Sequence, residues 1–117
     1  MAKFEIWHNP RCGKSRTTLE RLTRAGVTPT VIEYLENPPT KARIQAVLGL
    51  LGFDDPRALM RTGEPVYKEL GLAKVTAKAA LIEAMAANPI LIERPVVIKD
   101  EKKAVLGRPP ENVDALL

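Results

Sequence analysis

The chain contains one cysteine and one histidine among its 117 residues. A single cysteine excludes an internal disulfide framework, and without further cysteines a cysteine-based zinc site is also excluded. We therefore expect no metal site and no bound cofactor. A lone free thiol is typical of a reducing compartment, so a cytoplasmic location is expected.

Long apolar runs and aromatic residues are also scarce. The sequence contains no run of about 18 apolar residues, so no membrane span is predicted. The N-terminus lacks the apolar core of a signal peptide. The aromatics are two Phe, two Tyr and one Trp, and the basic residues that give a net charge of +4 are dispersed. We therefore expect neither a nucleic-acid nor a membrane partner. A small anionic ligand, or a solvated surface, accounts equally well for the positive charge.

The length and composition indicate one globular domain over residues 1–117. Apolar residues make up 45% of the chain and charged residues 27%, which are ordinary values for a soluble domain with a buried core. Nothing in the sequence indicates an obligate oligomer, and a monomer is expected.

The first third of the chain is predicted to form a strand, a helix and a second strand. Residues 3–7 and 30–35 are short runs rich in β-branched and aromatic side chains, and each predicts a strand. Residues 15–25 show helical spacing of apolar side chains, and Gly26 provides the left-handed residue that ends a helix. A unit of this length predicts two parallel strands.

The middle of the chain, about residues 40–88, shows helical patterns and no strand signal. The predicted helices begin where capping residues or prolines mark a start, at Thr40, Asp55, Glu64 and Thr76. Beyond them, residues 96–98 and 103–106 predict a hairpin, and the prolines at 109–110 start a last helix. The predicted fold class is α/β of the thioredoxin type. It has β-α-β and β-β-α halves, a mixed four-stranded sheet, and a helical insertion between the halves.

The stretch between the first strand and the first helix holds both the histidine, His8, and the cysteine, Cys12. Between residues 6 and 19 there is no carboxylate, while three basic residues lie close to the sulfur in sequence: Arg11, Lys14 and Arg16. A thiol near a helix N-terminus and surrounded by cations ionises more readily than a free thiol. The sequence therefore predicts that Cys12 is a nucleophile, the alternative being an inert buried cysteine. Asn9 is a candidate for an Asx turn.

Two phosphate-binding motifs are excluded at this stretch. The segment 13–15 (GKS) matches the end of a P-loop, but His8 occupies the position of the first glycine. A tyrosine-phosphatase loop has an arginine six positions after its cysteine, where Thr18 stands.

The thioredoxin C-x-x-C pair is present only with Ser15 in the second place, so Cys12 cannot close a disulfide there. Turnover at Cys12 therefore needs an external thiol.

Short blocks distributed along the chain form one further pattern. They are HNPRC at 8–12, SR at 15–16, TL at 18–19, YLENPP at 34–39, LMR at 59–61, YKELGL at 67–72, NPILIERP at 88–95 and GRPP at 107–110. In this order and spacing the chain resembles the glutaredoxin-linked arsenate reductase family, in its single-cysteine branch. The loop form N-P-R-C-x-K-S-R is similar to that of one subgroup of the family.

The resemblance implies a site built from both halves of the chain. Cys12 corresponds to the catalytic nucleophile, and His8 to a catalytic-loop histidine, although His8 packing or capping its own loop is the alternative. Three arginines correspond to those that bind the oxyanion and lower the pKa of the thiol: Arg61, Arg94 and Arg108. Further loop residues are candidate contributors: Arg11, Gly13, Lys14 and Ser15. In thioredoxin-like folds a cis-proline faces the reactive cysteine, so we predict a cis peptide bond between Arg94 and Pro95.

The resemblance also implies a reaction. Arsenate is reduced to arsenite through a covalent adduct on Cys12, with glutathione as co-substrate and glutaredoxin as the partner that resolves the mixed disulfide. Two alternatives stay open: a different oxyanion or thiol substrate, and a protein-docking module with little arsenate turnover. Three converging arginines favour the enzyme, since a docking module has no need of them.

Overall fold

The computed structural model describes residues 2–117. Two compact units make up the chain, one formed by the chain up to Asn37 with Arg94–Leu117, the other by Pro38–Glu93. The predicted helical insertion lies within the second unit, and the prediction that the whole chain is one domain stays a prediction. Among the described residues, no helix is long and apolar enough to span a membrane. Over the same residues, no cluster of three or more His, Cys, Asp or Glu side chains is suited to a metal ion.

The first unit contains a four-stranded mixed sheet. Its regular elements are β1 (Phe4–Trp7), α1 (Gly13–Arg24), β2 (Thr30–Ile32), β3 (Val96–Lys99) and β4 (Lys103–Leu106). The strand order is β2-β1-β3-β4, with β1 parallel to β2 and antiparallel to β3, and with β3 and β4 forming an antiparallel hairpin. The mixed four-stranded sheet and the parallel first pair are therefore confirmed.

One apolar core holds the sheet, α1 and a final 3₁₀ helix (Pro110–Leu116) together. Its fully or nearly buried side chains are Phe4, Ile6, Leu22, Val97, Val113 and Leu116. Burying one such side chain contributes about 1.5–3 kcal/mol to stability. This core fixes the end of β1 relative to the start of α1, and the cysteine loop lies between those two points.

The second unit is helical. Its elements are α2 (Lys41–Leu51), α3 (Pro65–Glu69) and α4 (Lys78–Ala87), with 3₁₀ helices at Pro56–Leu59, Leu72–Lys74 and Pro89–Leu91. The Oγ1 of Thr40 caps α2 by accepting from the Arg43 N–H at 3.1 Å, and Gly52 ends it in the left-handed conformation. The helix starts predicted at Thr40, Asp55 and Glu64 are confirmed.

The Arg57 guanidinium joins three segments of this unit. Its Nε donates to the Tyr67 hydroxyl at 3.2 Å, and its Nη2 donates to the Leu72 carbonyl at 2.7 Å and to the Val75 carbonyl. A planar guanidinium reaches several acceptors at once, which a lysine ammonium in the same place cannot do. Arg57 is therefore a structural residue of the second unit.

The predicted second strand is too long. It ends at Ile32, not at residue 35, because the N–H groups of Glu36 and Asn37 both donate to the Glu33 carbonyl and turn the chain.

Two further differences concern the middle and the end of the chain. The helix predicted to begin at Thr76 begins at Lys78, and an isolated antiparallel bridge joins Met60 to Ile92 where no strand signal was present. The last helix is of the 3₁₀ type and covers Pro110–Leu116.

Candidate active site

Cys12 occupies the N-cap position of α1. Its backbone is extended (φ −92°, ψ 122°), its N–H donates to the Asn9 carbonyl at 3.0 Å, and its carbonyl accepts from the Arg16 N–H at 3.0 Å. The Asn9 side chain accepts from the Arg11 N–H at 3.0 Å, which is the Asx turn expected there. These bonds hold the thiol, which is free and half-buried, at the start of the helix.

Ser15 connects the first turn of α1 to the end of β1. The side chain is fully buried, and its Oγ accepts from the Asn9 N–H at 3.0 Å and lies 2.6 Å from His8 Nδ1. The His8 backbone N–H donates in turn to the Ile32 carbonyl on β2 at 2.8 Å. The sequence indicated Ser15 as the residue in place of a second cysteine and as a candidate loop contributor, but not as the partner of His8. Its structural role depends on loop geometry, and no periodic pattern predicts a contact over seven residues.

His8 is buried, and its charge state follows from its surroundings. Burial lowers the pKa of His8, Glu33 raises it, Arg16 lowers it again, and the pKa lies below the usual value for histidine. The ring is therefore neutral near neutral pH, and its side-chain hydrogen bond is with Ser15. This contact supports the loop, and a direct catalytic role for His8 stays a prediction.

Arg94 and two backbone N–H groups determine the ionisation of Cys12. Burial by itself raises the pKa of the Cys12 thiol, but hydrogen bonds from the Ser15 N–H, the Arg94 side chain and the Lys14 N–H favour the thiolate, as does the Arg94 charge. The resulting pKa lies below the ordinary value for cysteine. The Nε of Arg94 is buried and has no hydrogen-bond partner within residues 2–117. Together, Cys12 and Arg94 therefore combine a thiol of lowered pKa with an unpartnered cationic donor.

The predicted cis peptide bond between Arg94 and Pro95 is confirmed. The Pro95 carbonyl accepts from the Gly107 N–H at 2.9 Å, and the Thr18 hydroxyl on α1 donates to the Lys14 carbonyl at 2.8 Å and approaches the Gly107 carbonyl at 3.2 Å. These bonds join α1, the start of β3 and the end of β4. Thr18 and Gly107 therefore belong to the framework of the site, a role that sequence reasoning did not give them.

The Arg108 side chain forms a hydrogen bond with the main chain of Arg94. Its Nη1 donates to the Arg94 carbonyl at 3.4 Å, a long hydrogen bond, and the peptide bond between Arg108 and Pro109 is also cis. The first unit thus brings Arg94 to Cys12 and places Arg108 beside Arg94.

Arg61 belongs to the second unit and is ion-paired twice. Its Nε donates to Glu64 Oε1 at 3.0 Å and its Nη1 to Glu93 Oε1 at 2.9 Å, while the side chain is 25% exposed. Burial lowers the pKa of Arg61, but Glu64 and Glu93 outweigh it and raise the pKa above the usual value. Backbone bonds from the Arg61 N–H to Leu91 and from the Glu93 N–H to Leu59, both 2.7 Å, hold this cluster in place. The sequence did not indicate either glutamate as a partner of Arg61.

The remaining loop candidates lie on the surface around the thiol. Arg11, Gly13 and Lys14 are exposed, and the Arg16 side chain, also exposed, donates to the Pro10 carbonyl at 2.9 Å. Space is open beside Gly13, where an added Cβ would lie 3.8 Å from the Arg16 side chain. Their contribution to substrate binding stays a prediction.

Comparison with known proteins gives matches over nearly the whole chain. Residues 7–116 match the model of the ArsC family. The uncharacterized protein YfgD of Escherichia coli (strain K12) is 50% identical over 112 residues, covering 95% of this chain and 93% of that protein. An arsenate reductase of Neisseria meningitidis (serogroup B, strain MC58) is 42% identical over 118 residues and the full length of both. The solved structure of an arsenate reductase from Vibrio cholerae is 44% identical, with a TM-score of 0.94 over 98% of both chains. The predicted fold class is thereby confirmed.

Proposed function

Because the chain belongs to the ArsC family, we propose that it reduces arsenate to arsenite through Cys12, with an external thiol as the reductant. The observation that carries the proposal is the pairing of Cys12 with Arg94. The pKa of the thiol is lowered, and the adjacent arginine has a buried Nε–H that nothing within residues 2–117 accepts. A thiolate with a free cationic donor beside it is suited to attack on an oxyanion.

In the first step the Cys12 thiolate attacks the arsenic of arsenate. An S–As bond forms, and one oxygen leaves as water after taking up protons, so that arsenic stays As(V). Arg94 donates hydrogen bonds to the remaining oxygens and stabilises their charge in a half-buried site. We propose the same role for Arg108, which lies beside Arg94 in the first unit, because the guanidinium fork stays charged and matches tetrahedral oxyanions. For Arg61 the role in oxyanion binding stays a prediction from the family resemblance.

In the second step an external thiolate, for which we propose glutathione, attacks the Cys12 sulfur. An S–S bond forms, the S–As bond breaks with its electron pair on arsenic, and As(V) leaves as As(III) in arsenite. The need for an external thiol follows from Ser15, which holds the place of a second cysteine. We propose glutaredoxin as the partner whose thiol then attacks the mixed disulfide and returns Cys12 as a thiolate. No bound cofactor is required by this sequence of steps.

The experiment is a coupled assay that contains arsenate, glutathione, glutaredoxin, glutathione reductase and NADPH. The proposal expects arsenate-dependent oxidation of NADPH by the wild type and none by Cys12→Ser. A hydrogen bond to a charged group contributes about 1.5–3 kcal/mol, so Arg94→Met is expected to lower kcat/KM for arsenate by about tenfold or more.

Arg21→Met is the matched control. Arg21 lies on α1, the helix that follows the cysteine loop, but its side chain pairs with Asp114 on the surface. The variant is expected to retain the wild-type kcat/KM. If the wild type consumes no more NADPH than Cys12→Ser, the arsenate assignment is wrong, and a docking role or a different substrate replaces it.

A further inference from the structure

Three cations around Cys12 have no carboxylate partner among the described residues. We call Arg11, Lys14 and Arg16 the loop cations, and all three are exposed. The two arginines nearer the end of α1 differ, because Arg21 pairs with Asp114 and Arg24 with Glu20. The positive charge of α1 is therefore balanced at one end of the helix and unbalanced at the end that holds the thiol.

Other groups near the loop do not cancel this charge. The first turn of α1 contains no acidic residue. Glu33 acts electrostatically on His8, a buried ring that Arg16 also influences, and it makes no ion pair with a loop cation among the described residues. The Arg16 guanidinium has a backbone acceptor, the Pro10 carbonyl, which leaves its charge uncompensated. The surface beside the half-buried sulfur thus carries excess positive charge.

From this surface, and on the basis of the function proposed above, we infer that the loop cations recruit the external thiol through its carboxylates. Glutathione, the co-substrate proposed above, carries a net negative charge and therefore fits such a surface. Ser15 cannot supply the second thiol, so every reducing equivalent must arrive from solvent and approach the Cys12 sulfur across the exposed loop. Lys14 and Arg11 are the residues that we assign to the carboxylates, since Arg16 already has an acceptor.

The charge effect is large enough to measure. Reversing one exposed charge about 7 Å from a dianionic reagent changes the rate constant of its reaction with Cys12 by about three- to tenfold at low ionic strength. Added salt reduces this difference. The acidic replacement is compatible with the helix, because a carboxylate in the first turn interacts favourably with the helix dipole.

The experiment measures thiol–disulfide exchange at Cys12 without arsenate, so its outcome is independent of whether the chain reduces arsenate. The Cys12 thiolate attacks one sulfur of a disulfide reagent, a mixed disulfide forms, and the other sulfur leaves as a thiolate. Two reagents are compared, the dianionic 5,5′-dithiobis(2-nitrobenzoate) and the neutral 4,4′-dithiodipyridine. The thiolate fraction and the nucleophilicity of Cys12 affect both rate constants and cancel in their ratio. The ratio therefore measures how strongly the charge of the surface around Cys12 affects the anionic reagent.

We expect Lys14→Glu and Arg11→Glu each to lower this ratio by about three- to tenfold at low salt, and added salt to shrink the wild-type ratio. Lys102→Glu is the control, because it makes the same charge change at the hairpin between β3 and β4, the far end of the sheet from the loop. Lys14→Arg is expected to keep the wild-type ratio. A ratio unchanged by both loop variants, or lowered equally by Lys102→Glu, overturns the inference.

Discussion

Gly107 is the position where one methyl group is expected to disturb the framework of the site. A Cβ built on Gly107 would lie 2.7 Å from Thr18 Oγ1, 2.9 Å from Thr18 Cγ2 and 2.8 Å from Pro95 Cγ. Contacts this short require the neighbours to move, and neither neighbour moves easily. The Pro95 ring is rigid, and the Thr18 hydroxyl is held by the Lys14 carbonyl.

Gly107→Ala is therefore expected to lower the free energy of unfolding by about 1–3 kcal/mol, the usual cost of inserting a methyl group into a well-packed region. The measurement is chemical denaturation at equilibrium. Gly49→Ala is the control, because Gly49 lies within α2 with no atom within 4 Å of an added Cβ. In that exposed helical position alanine is expected to stabilise the protein by about 0.5–1 kcal/mol.

A double-mutant cycle identifies the cause. Thr18→Ala removes two of the three atoms that crowd the new methyl group, at the cost of its own hydrogen bonds. In the Thr18→Ala background, Gly107→Ala is expected to lower the free energy of unfolding by less than it does in the wild type. The difference between the two losses, which is the coupling energy, is expected to be about 0.5–3 kcal/mol. Equal costs in both backgrounds, or a Gly107→Ala variant as stable as the wild type, would refute the packing described for this junction.

Three further outcomes follow from individual contacts. Ser15→Ala leaves the Asn9 N–H and the His8 ring without their buried partner, so denaturation is expected to show a loss of about 1–3 kcal/mol. Arg57→Lys replaces a planar fork with one nitrogen that cannot serve both Tyr67 and the nearby carbonyls, and a similar loss of about 1–3 kcal/mol is expected. The lowered pKa of His8 means that the unfolded chain binds a proton more readily than the folded one. Stability is therefore expected to fall as the pH drops below about 6.5, and His8→Asn is expected to flatten that dependence; an equally steep fall in the variant contradicts the assignment.

The parts of the fold that short-range chemistry controls could be predicted from the sequence. Thr40 marks the start of α2 because a hydroxyl cap acts on an adjacent backbone N–H group. The second strand was predicted too long because its composition continues to residue 35. The turn that ends it depends on two N–H groups converging on the Glu33 carbonyl. Composition does not reveal where such a turn begins.

The site was predictable to a lesser extent. The position of Cys12 at the start of α1 follows from the order of strand, loop and helix. The contact between His8 and Ser15, and the two carboxylates on Arg61, depend on how backbone segments distant in sequence meet. Residue types alone do not specify those partners. Arg94 was found through the family resemblance, and the structure adds its proximity to the thiol and its unpartnered Nε.

The most direct test of the account is the pKa of the Cys12 thiol. Because the chain has one cysteine, the rate of alkylation by iodoacetamide, or the thiolate absorbance in the ultraviolet, reports this group alone as the pH is varied. We expect the wild-type midpoint to lie below the value of about 8.5 for a free thiol, and the midpoint in Arg94→Met to be higher than in the wild type. A wild-type midpoint at or above about 8.5 would contradict the activated thiolate on which the proposed reaction depends.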